Sequence, residues 1–302
     1  MTDAQKRIQM HHYKKNIKSG LKYTIIILAA VLMLYPLIWI IGASFDGSAV
    51  PSISFLPSNF TFSGWQAAFS APGWGSAEGY SLLRALSNTL QYTIPYVLFG
   101  TFSCLITAYV ITRMSFKGKK LVFALIIGTL LMPATIFRIP LYAFWTSPGI
   151  VDIWDGQRLS FMAYIPLWAG SMFAVNSFSI FMFIQFFRTI PRDLDEAAYM
   201  DGANKFQVLF YVLMPILKPI VMTVALLMFI SQFNDFQGPL IYRGHVSTYP
   251  LSIVLQLLGL DSINTYAHVF ARSIVSVSVL VIVFFSAQKY FVGNDADSAI
   301  KG

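Results

Sequence analysis

The stretch "YTIIILAAVLMLYPLIWIIGA", residues 23–43, contains no charged side chain. About 20 consecutive apolar residues are enough for a helix to cross the hydrocarbon core of a bilayer. Water would be a poor solvent for such a helix, and the rest of the chain repeats the pattern. Of its 302 residues, 56% are hydrophobic, 16% aromatic and only 11% charged. A soluble domain carries roughly 25% charged residues, so this chain lacks the polar surface to face water. The apolar runs are continuous rather than alternating, which selects helices over a β-barrel. The expectation is an all-α membrane protein.

Six spans are read from the runs. They are residues 23–43, a segment within 85–112, a segment from 121 that weakens near Phe137, a segment within 159–187, residues 206–233 and residues 266–290. The 21 Lys and Arg residues orient them. Lys6, Arg7, Lys14, Lys15, Lys18 and Lys22 precede the first span; Arg113, Lys117, Lys119 and Lys120 join the second to the third. Arg188, Arg192 and Lys205 join the fourth to the fifth, Lys218 sits just inside the fifth, and Lys289 and Lys301 follow the sixth. Only Arg84, Arg138, Arg158, Arg243 and Arg272 fall on the other side. The positive-inside rule then places both termini in the cytoplasm. Residues 1–22 are expected to be a cytoplasmic tail, 23–292 a transmembrane domain with an external loop over about 44–84, and 293–302 a second cytoplasmic tail. The basic N-terminus followed by an apolar run resembles a signal peptide. Its apolar core exceeds the roughly 7–15 residues of one, so an uncleaved anchor is expected. The one cysteine, Cys104, lies in an apolar run and is expected to pack as a buried thiol.

One cytoplasmic loop, about residues 188–205, has a pattern of its own: "TIPRDLDEAAYMDGANKFQ". Pro191 discourages continuation of the fourth helix. Asp193 with Glu196 three residues later suits a capping box, and both carboxylates favour the positive end of a helix. Gly202 can adopt the left-handed conformation that ends it. Asn204 with Gln207 can cap the next helix. The expectation is a helix of about two turns, a break, and then the fifth span. Ala197 and Ala198 give it a smooth side that permits close approach by another protein. Local spacing fits a well-capped surface helix equally.

At these residues the sequence resembles a known family. Glu196, Ala197, Ala198, Gly202, Val212, Met214 and Pro215 follow the signature E-A-A, three residues, G, nine residues, I-x-L-P of the inner-membrane permeases of ATP-binding-cassette importers. Val212 replaces Ile and Met214 replaces Leu. "IFMFIQFFRTIPRDLDEAAYMDGA", "FNDFQGPLIY" and the terminal "DSAIKG" resemble the carbohydrate branch, of the maltose permease G type. The resemblance implies a type I importer permease fold, six transmembrane helices and a cytoplasmic coupling helix. It implies that Glu196 contacts an ATPase subunit, that Ala197 and Ala198 pack in its cleft, that Asp201 and Gly202 shape the turn, and that Lys301 and Gly302 reach the ATPase dimer. The implied partners are a second permease, two ATP-binding subunits, an external solute-binding protein, a carbohydrate substrate and membrane lipid, with no nucleic acid.

The remaining residues agree with this division of labour. The chain has no G-x-x-x-x-G-K-[ST] loop to cradle phosphates, and "FKGKKL" lacks the upstream glycine and the hydroxyl residue. No cofactor is expected in this chain, ATP and Mg being held by the partner ATPase. His11 and His12 lack nearby acidic or thiol ligands, so no metal site is expected. No catalytic constellation is present, so no enzyme activity is expected. An ion-coupled secondary transporter is the alternative, and it calls for buried acidic coupling groups and inverted repeats; Asp235 is the one acidic candidate. Polar groups within spans are pathway candidates: Asn176, Gln232, Asn234 and Asp235, with Asn88 and Gln256. For Asn234 and Asp235, a helix cap at the external end is the competing reading.

Overall fold

A computed structural model describes residues 3–48, 55–70, 81–147, 164–243, 248–257 and 266–298. Helices follow in the order α1 (Asp3–Ala43), α2 (Ser63–Ser70), α3 (Leu82–Arg113), α4 (Lys119–Leu130), a 3-10 turn (Ala134–Phe137), α5 (Arg138–Trp145), α6 (Ile165–Trp168), a 3-10 turn (Ala169–Phe173), α7 (Ser177–Thr189), α8 (Asp193–Met200), α9 (Lys205–Gln207), a π turn (Val208–Leu213), α10 (Met214–Phe233), α11 (Gln237–Tyr242), α12 (Leu251–Leu257) and α13 (Ala267–Ser298).

Five stretches among the described residues are long and apolar enough to cross a membrane: Gly20–Ala43, Leu82–Arg113, Ile165–Thr189, Lys205–Phe233 and Ala267–Tyr290. The expected third span is not one straight helix. Lys119–Leu130 and Thr135–Trp145 are bent by 94° across the break, and they make a sixth span only if the pair is counted as one. The bend falls at Pro133, which supplies no backbone N–H to continue α4. The fourth span is also interrupted. Ala174 has φ +53°, which breaks the chain between the 3-10 turn and α7.

The chain divides into two compact units, residues 1–68 with 262–274 and residues 69–261 with 275–302. In the first, α1 runs unbroken from Asp3, so the expected N-terminal tail continues the first span as helix. Its apolar window has no buried residue, as a lipid-facing helix requires. After α1 the chain folds back on Asp46, which is 2% exposed. Asp46 accepts backbone N–H bonds from Ser48 and Ser58 at 3.0 and 3.1 Å. Phe45 stacks on Phe60 beside Phe62 and Trp65, whose indole donates to Ser44 Oγ.

The second unit is organised around α3. Between helices in lipid, close packing replaces the hydrophobic effect as the cohesive force, and small residues let backbones approach. Gly100 shows the consequence: a Cβ there would sit 3.1 Å from Met228 Sδ of α10 and 3.4 Å from Ser171 Cβ. One core joins Cys104, Leu105 and Ala108 of α3 to Ile180, Phe183, Ile184 and Phe187 of α7 and to Leu213, Leu217 and Val224 near the start of α10. Cys104 is fully buried, as expected of a packing thiol. A second core joins Leu82 and Ala85 to Phe229, Phe233, Leu251 and Val254. Asn88 donates to the Tyr249 carbonyl at 3.1 Å, and Thr89 Oγ1 accepts from the Leu251 N–H at 2.9 Å, tying α3 to α12. These bonds satisfy polar groups that lipid would leave stranded.

Candidate functional site

The segment following α7 forms a compact device built mostly from local rules. Pro191 stops α7, and α8 begins two residues later. The expected capping box at its start is absent. Arg192 occupies the N-cap position, no side chain caps it, and Asp193 is already helical. Asp193, Asp195 and Glu196 therefore act on the first turn through the helix dipole. The far end follows the expectation for glycine. Gly202 has φ +84°. Its N–H reaches the Tyr199 carbonyl at 3.0 Å, while the Ala203 N–H reaches the Ala198 carbonyl at 3.0 Å. This pair of bonds is the Schellman closure of a helix.

The capping box appears instead at the next start. Asn204 Oδ1 accepts from the N–H groups of Phe206 and Gln207 at 3.0 Å, and Gln207 Oε1 accepts from the Asn204 N–H at 2.7 Å. Beyond it, Val208–Leu213 widens into a π turn immediately before Pro215, which is exposed. A proline ring clashes with the carbonyl four residues earlier, and a π turn is one way to make room for it.

Helical spacing sorts the α8 side chains into two faces. Asp195 and Ala198, three residues apart, are 6% and 9% exposed and turn towards the protein. Glu196, Ala197 and Asp201 are exposed. The smooth side expected from two alanines is thus divided. Ala197 is open to a partner, while Ala198 packs into the core formed by α3, α7 and α10. Large apolar groups accompany Glu196 on the outside: Met200 is 88% exposed, Tyr199 42% and Leu194 40%.

What fixes this helix is a residue that sequence reasoning did not single out. Arg113, the last residue of α3, places Nε 3.1 Å from Asp195 Oδ2, with both side chains nearly buried. The contact is an ion pair in which Arg113 Nε makes no hydrogen bond, and the other carboxylate oxygen, Asp195 Oδ1, is buried without a hydrogen-bond partner. Arg113 Nη2 donates to the Phe187 and Ile190 carbonyls at 3.3 and 2.9 Å, at the end of α7. One guanidinium therefore joins α3, α7 and α8. Arg192 Nη2 donates to the Thr112 carbonyl at 3.2 Å, and Tyr109 Oη donates to the Lys205 carbonyl at 2.9 Å. Burial pushes the Asp195 carboxyl above its usual range, and Arg113 and Arg192 pull against that rise. The signal available in the sequence was slight: an acid three residues before an alanine, and a basic residue closing the second span.

The polar candidates within spans are engaged individually. Asn176 caps α7, its Oδ1 accepting from the Ser179 N–H at 3.0 Å. Gln232 donates to the Leu167 carbonyl at 3.4 Å. Asn234 donates to the Ile230 carbonyl at 2.8 Å within its own helix. Asp235 Oδ1 accepts from the Gly238 N–H at 3.2 Å at the start of α11. For Asn234 and Asp235 these are the helix-end bonds of the competing reading. Lys301 and Gly302 lie outside the described residues.

Comparison with known proteins identifies the family. Residues 100–293 match the family described as binding-protein-dependent transport system inner membrane component. The chain is 26% identical over 292 residues to the galactooligosaccharides transport system permease protein of Bacillus subtilis, covering 96% of this chain and 98% of that protein. It is 27% identical over 280 residues to the trehalose/maltose transport system permease protein of Thermococcus litoralis, covering 91% and 94%. In fold it is similar to a chain of a bacterial ABC transporter involved in the import of the acidic polysaccharide alginate. That likeness has a TM-score of 0.72 at 24% identity over 92% of this chain and 98% of that one. A chain of the MetNI methionine ABC transporter is more distant, with a TM-score of 0.52 at 18% identity over 70% and 94%. With the family pattern running from α3 into α13, and α8 inside it, the chain belongs to the binding-protein-dependent transport system inner membrane components.

Proposed function

We propose that this chain is a membrane-spanning permease subunit of an ATP-driven sugar importer, and that α8 is its mechanical link to an ATP-hydrolysing subunit. The observation that carries the reading is the split character of α8. One face is locked to α3 and α7 through Asp195 and Ala198, and the other presents Glu196, Ala197 and Met200 outward. A helix held on one side and bare on the other can pass a push from a partner into the spans it is tied to. Exposed apolar groups clustered with polar ones are the usual mark of an interaction site. Sugar as the cargo is supported by the names of the relatives, which transport galactooligosaccharides and trehalose or maltose.

In this reading the chain pairs with a second permease, two ATP-binding subunits carry ATP and Mg, and an external solute-binding protein delivers the sugar. The chain itself performs no catalysis and holds no cofactor. It lies in a prokaryotic cytoplasmic membrane with both termini inside, an orientation supported by the Lys/Arg distribution. Closure of the ATPase pair moves α8, and Arg113 carries that motion to the ends of α3 and α7. The π turn and Pro215 mark where the fifth span can flex, since π turns and prolines are sites of helix bending. Asn176, Gln232, Asn234 and Asp235 are proposed as pathway groups because they are polar groups within or at the ends of apolar spans.

The test is Glu196→Lys in the complete transporter. Sugar uptake should be lost while the subunit remains in the membrane. Normal uptake by that variant would overturn the coupling role.

A further inference from the structure

Beside α8, where α3 and α7 end and α4 begins, lies a pocket of about 450 Å³. That is within the range of small-ligand sites, roughly 300–1,000 Å³. Its lining carries Arg113, Lys119, Lys120, Arg188 and Arg192 and no carboxylate. Arg113 is balanced by Asp195. Among the described residues, the other four make no ion pair.

Three of those four are held in place with donors to spare. Lys119 Nζ donates once, to the Met114 carbonyl at 3.0 Å, leaving two of its three protons. Arg192 donates one N–H to the Thr112 carbonyl, leaving four. The Arg188 guanidinium lies over the Phe123 ring, 5.5 Å from its centroid, which orients it without using a donor. Arg192 is partly offset by Asp195; Lys119, Lys120 and Arg188 line the pocket with no carboxylate among them, and an anion would relieve their mutual repulsion.

We propose that this pocket binds the phosphate headgroup of an anionic phospholipid. The helix next to it selects lipid over a soluble anion. No residue of α4 is buried. Immediately after Lys119 and Lys120 it presents Leu121 and Leu125, 65% and 60% exposed. A phospholipid can seat its phosphate among the basic groups and lay its acyl chains along α4, whereas a free anion gains nothing from that face. Basic pockets between helices at the cytoplasmic surface are suited to anionic headgroups. Assignment to the cytoplasmic leaflet rests on the orientation proposed above; the chemistry of the pocket does not.

The complete transporter, purified and placed in phosphatidylcholine nanodiscs, is titrated with phosphatidylglycerol, and bound lipid is counted by native mass spectrometry. The wild type should take phosphatidylglycerol in preference to phosphatidylcholine. Each basic group near an anionic surface contributes about fivefold in affinity, so Lys119→Gln/Lys120→Gln/Arg188→Gln should weaken phosphatidylglycerol binding by about 100-fold. Subunit stoichiometry in the same spectra shows whether the variant assembles. If it does not, the single Lys120→Gln, at an exposed position, should still lose about fivefold. Equal binding by wild type and variant, or no preference for phosphatidylglycerol, overturns the proposal. So does inorganic phosphate binding alone as tightly as the lipid, which would make a soluble anion the occupant. Failure here leaves the sugar-import reading intact, because none of the substituted residues lies in α8. Failure of that reading would show in the uptake of Glu196→Lys instead.

Discussion

Arg113→Ala should loosen α8 far more than Asp195→Asn, although the two side chains form one ion pair. Removing the guanidinium strips the Phe187 and Ile190 carbonyls of a charged donor and leaves the Asp195 carboxylate, 6% exposed, without its ion-pair partner and with only the weaker pull of Arg192. Breaking a buried pair from one side costs about 3–5 kcal/mol; at the edge of the membrane, where water can reach the gap, the lower end applies. Asp195→Asn removes the attraction but also removes the cost of burying a carboxylate. Burial is the larger influence on Asp195, raising its pKa against the pull of Arg113. Loss and relief should therefore nearly cancel, within about 1 kcal/mol. The readout is hydrogen exchange at Gly202 and Ala203, whose N–H groups close α8. With about 1.4 kcal/mol per tenfold, Arg113→Ala should reduce their protection on the order of 100-fold, and Asp195→Asn by less than about fivefold. The same balance fixes the pH response. A carboxyl whose folded pKa is raised contributes stability that is fully present below its unfolded pKa and is lost as pH rises through the folded value. Acidification from about pH 7 to about pH 5 should then preserve or increase protection once intrinsic exchange rates are corrected for. Unchanged protection in Arg113→Ala, a larger loss in Asp195→Asn, or a loss on acidification would refute the reasoning.

Three further outcomes follow from local geometry. Gly202→Ala should destabilise the end of α8 by about 1–2 kcal/mol, since φ is +84° and no atom lies within 4 Å of the added Cβ; exchange at the Ala203 amide reads it. Asn204→Ala removes the acceptor for two N–H groups at the start of the fifth span and should cost about 1 kcal/mol, seen as faster exchange at Phe206 and Gln207 with α8 unaffected. Gly100→Val should overpack the contact of α3 with Met228 and Ser171 and cost about 1–3 kcal/mol, measured as a lower unfolding midpoint of the transporter in detergent.

The parts of this structure that sequence made legible are those decided within a few residues. The uncharged run at 23–43 is enough to make a span, Gly202 to end a helix, and Asn204 with Gln207 to start one. Capping fails as a guide at Asp193, because Arg192 after Pro191 is already close to helical, with φ −74° and ψ −21°, and leaves no extended residue to cap from. Asn176, Asn234 and Asp235 stand out by their apolar setting, but the backbone bonds that each makes are not legible in composition, since short amide and carboxyl side chains bond readily to the nearest backbone. The Arg113–Asp195 pair joins the end of α3 to α8, far apart along the chain, and no local pattern announces it. Alanine spacing alone does not say which side of a short helix meets its own protein, so it groups Ala198 with Ala197 although Ala198 is buried.

The proposed coupling role requires the outer face of α8 to meet an ATP-hydrolysing subunit on the cytoplasmic side. Met200 is the most exposed large apolar residue of that face, at 88%, and the chain's one native thiol, Cys104, is fully buried. A Met200→Cys substitution therefore supplies the one accessible thiol of this chain for cross-linking in the assembled transporter. A cross-link to the ATP-hydrolysing subunit is expected. A thiol that reacts from outside intact cells, or that cross-links to no other subunit in the complete assembly, would contradict that role.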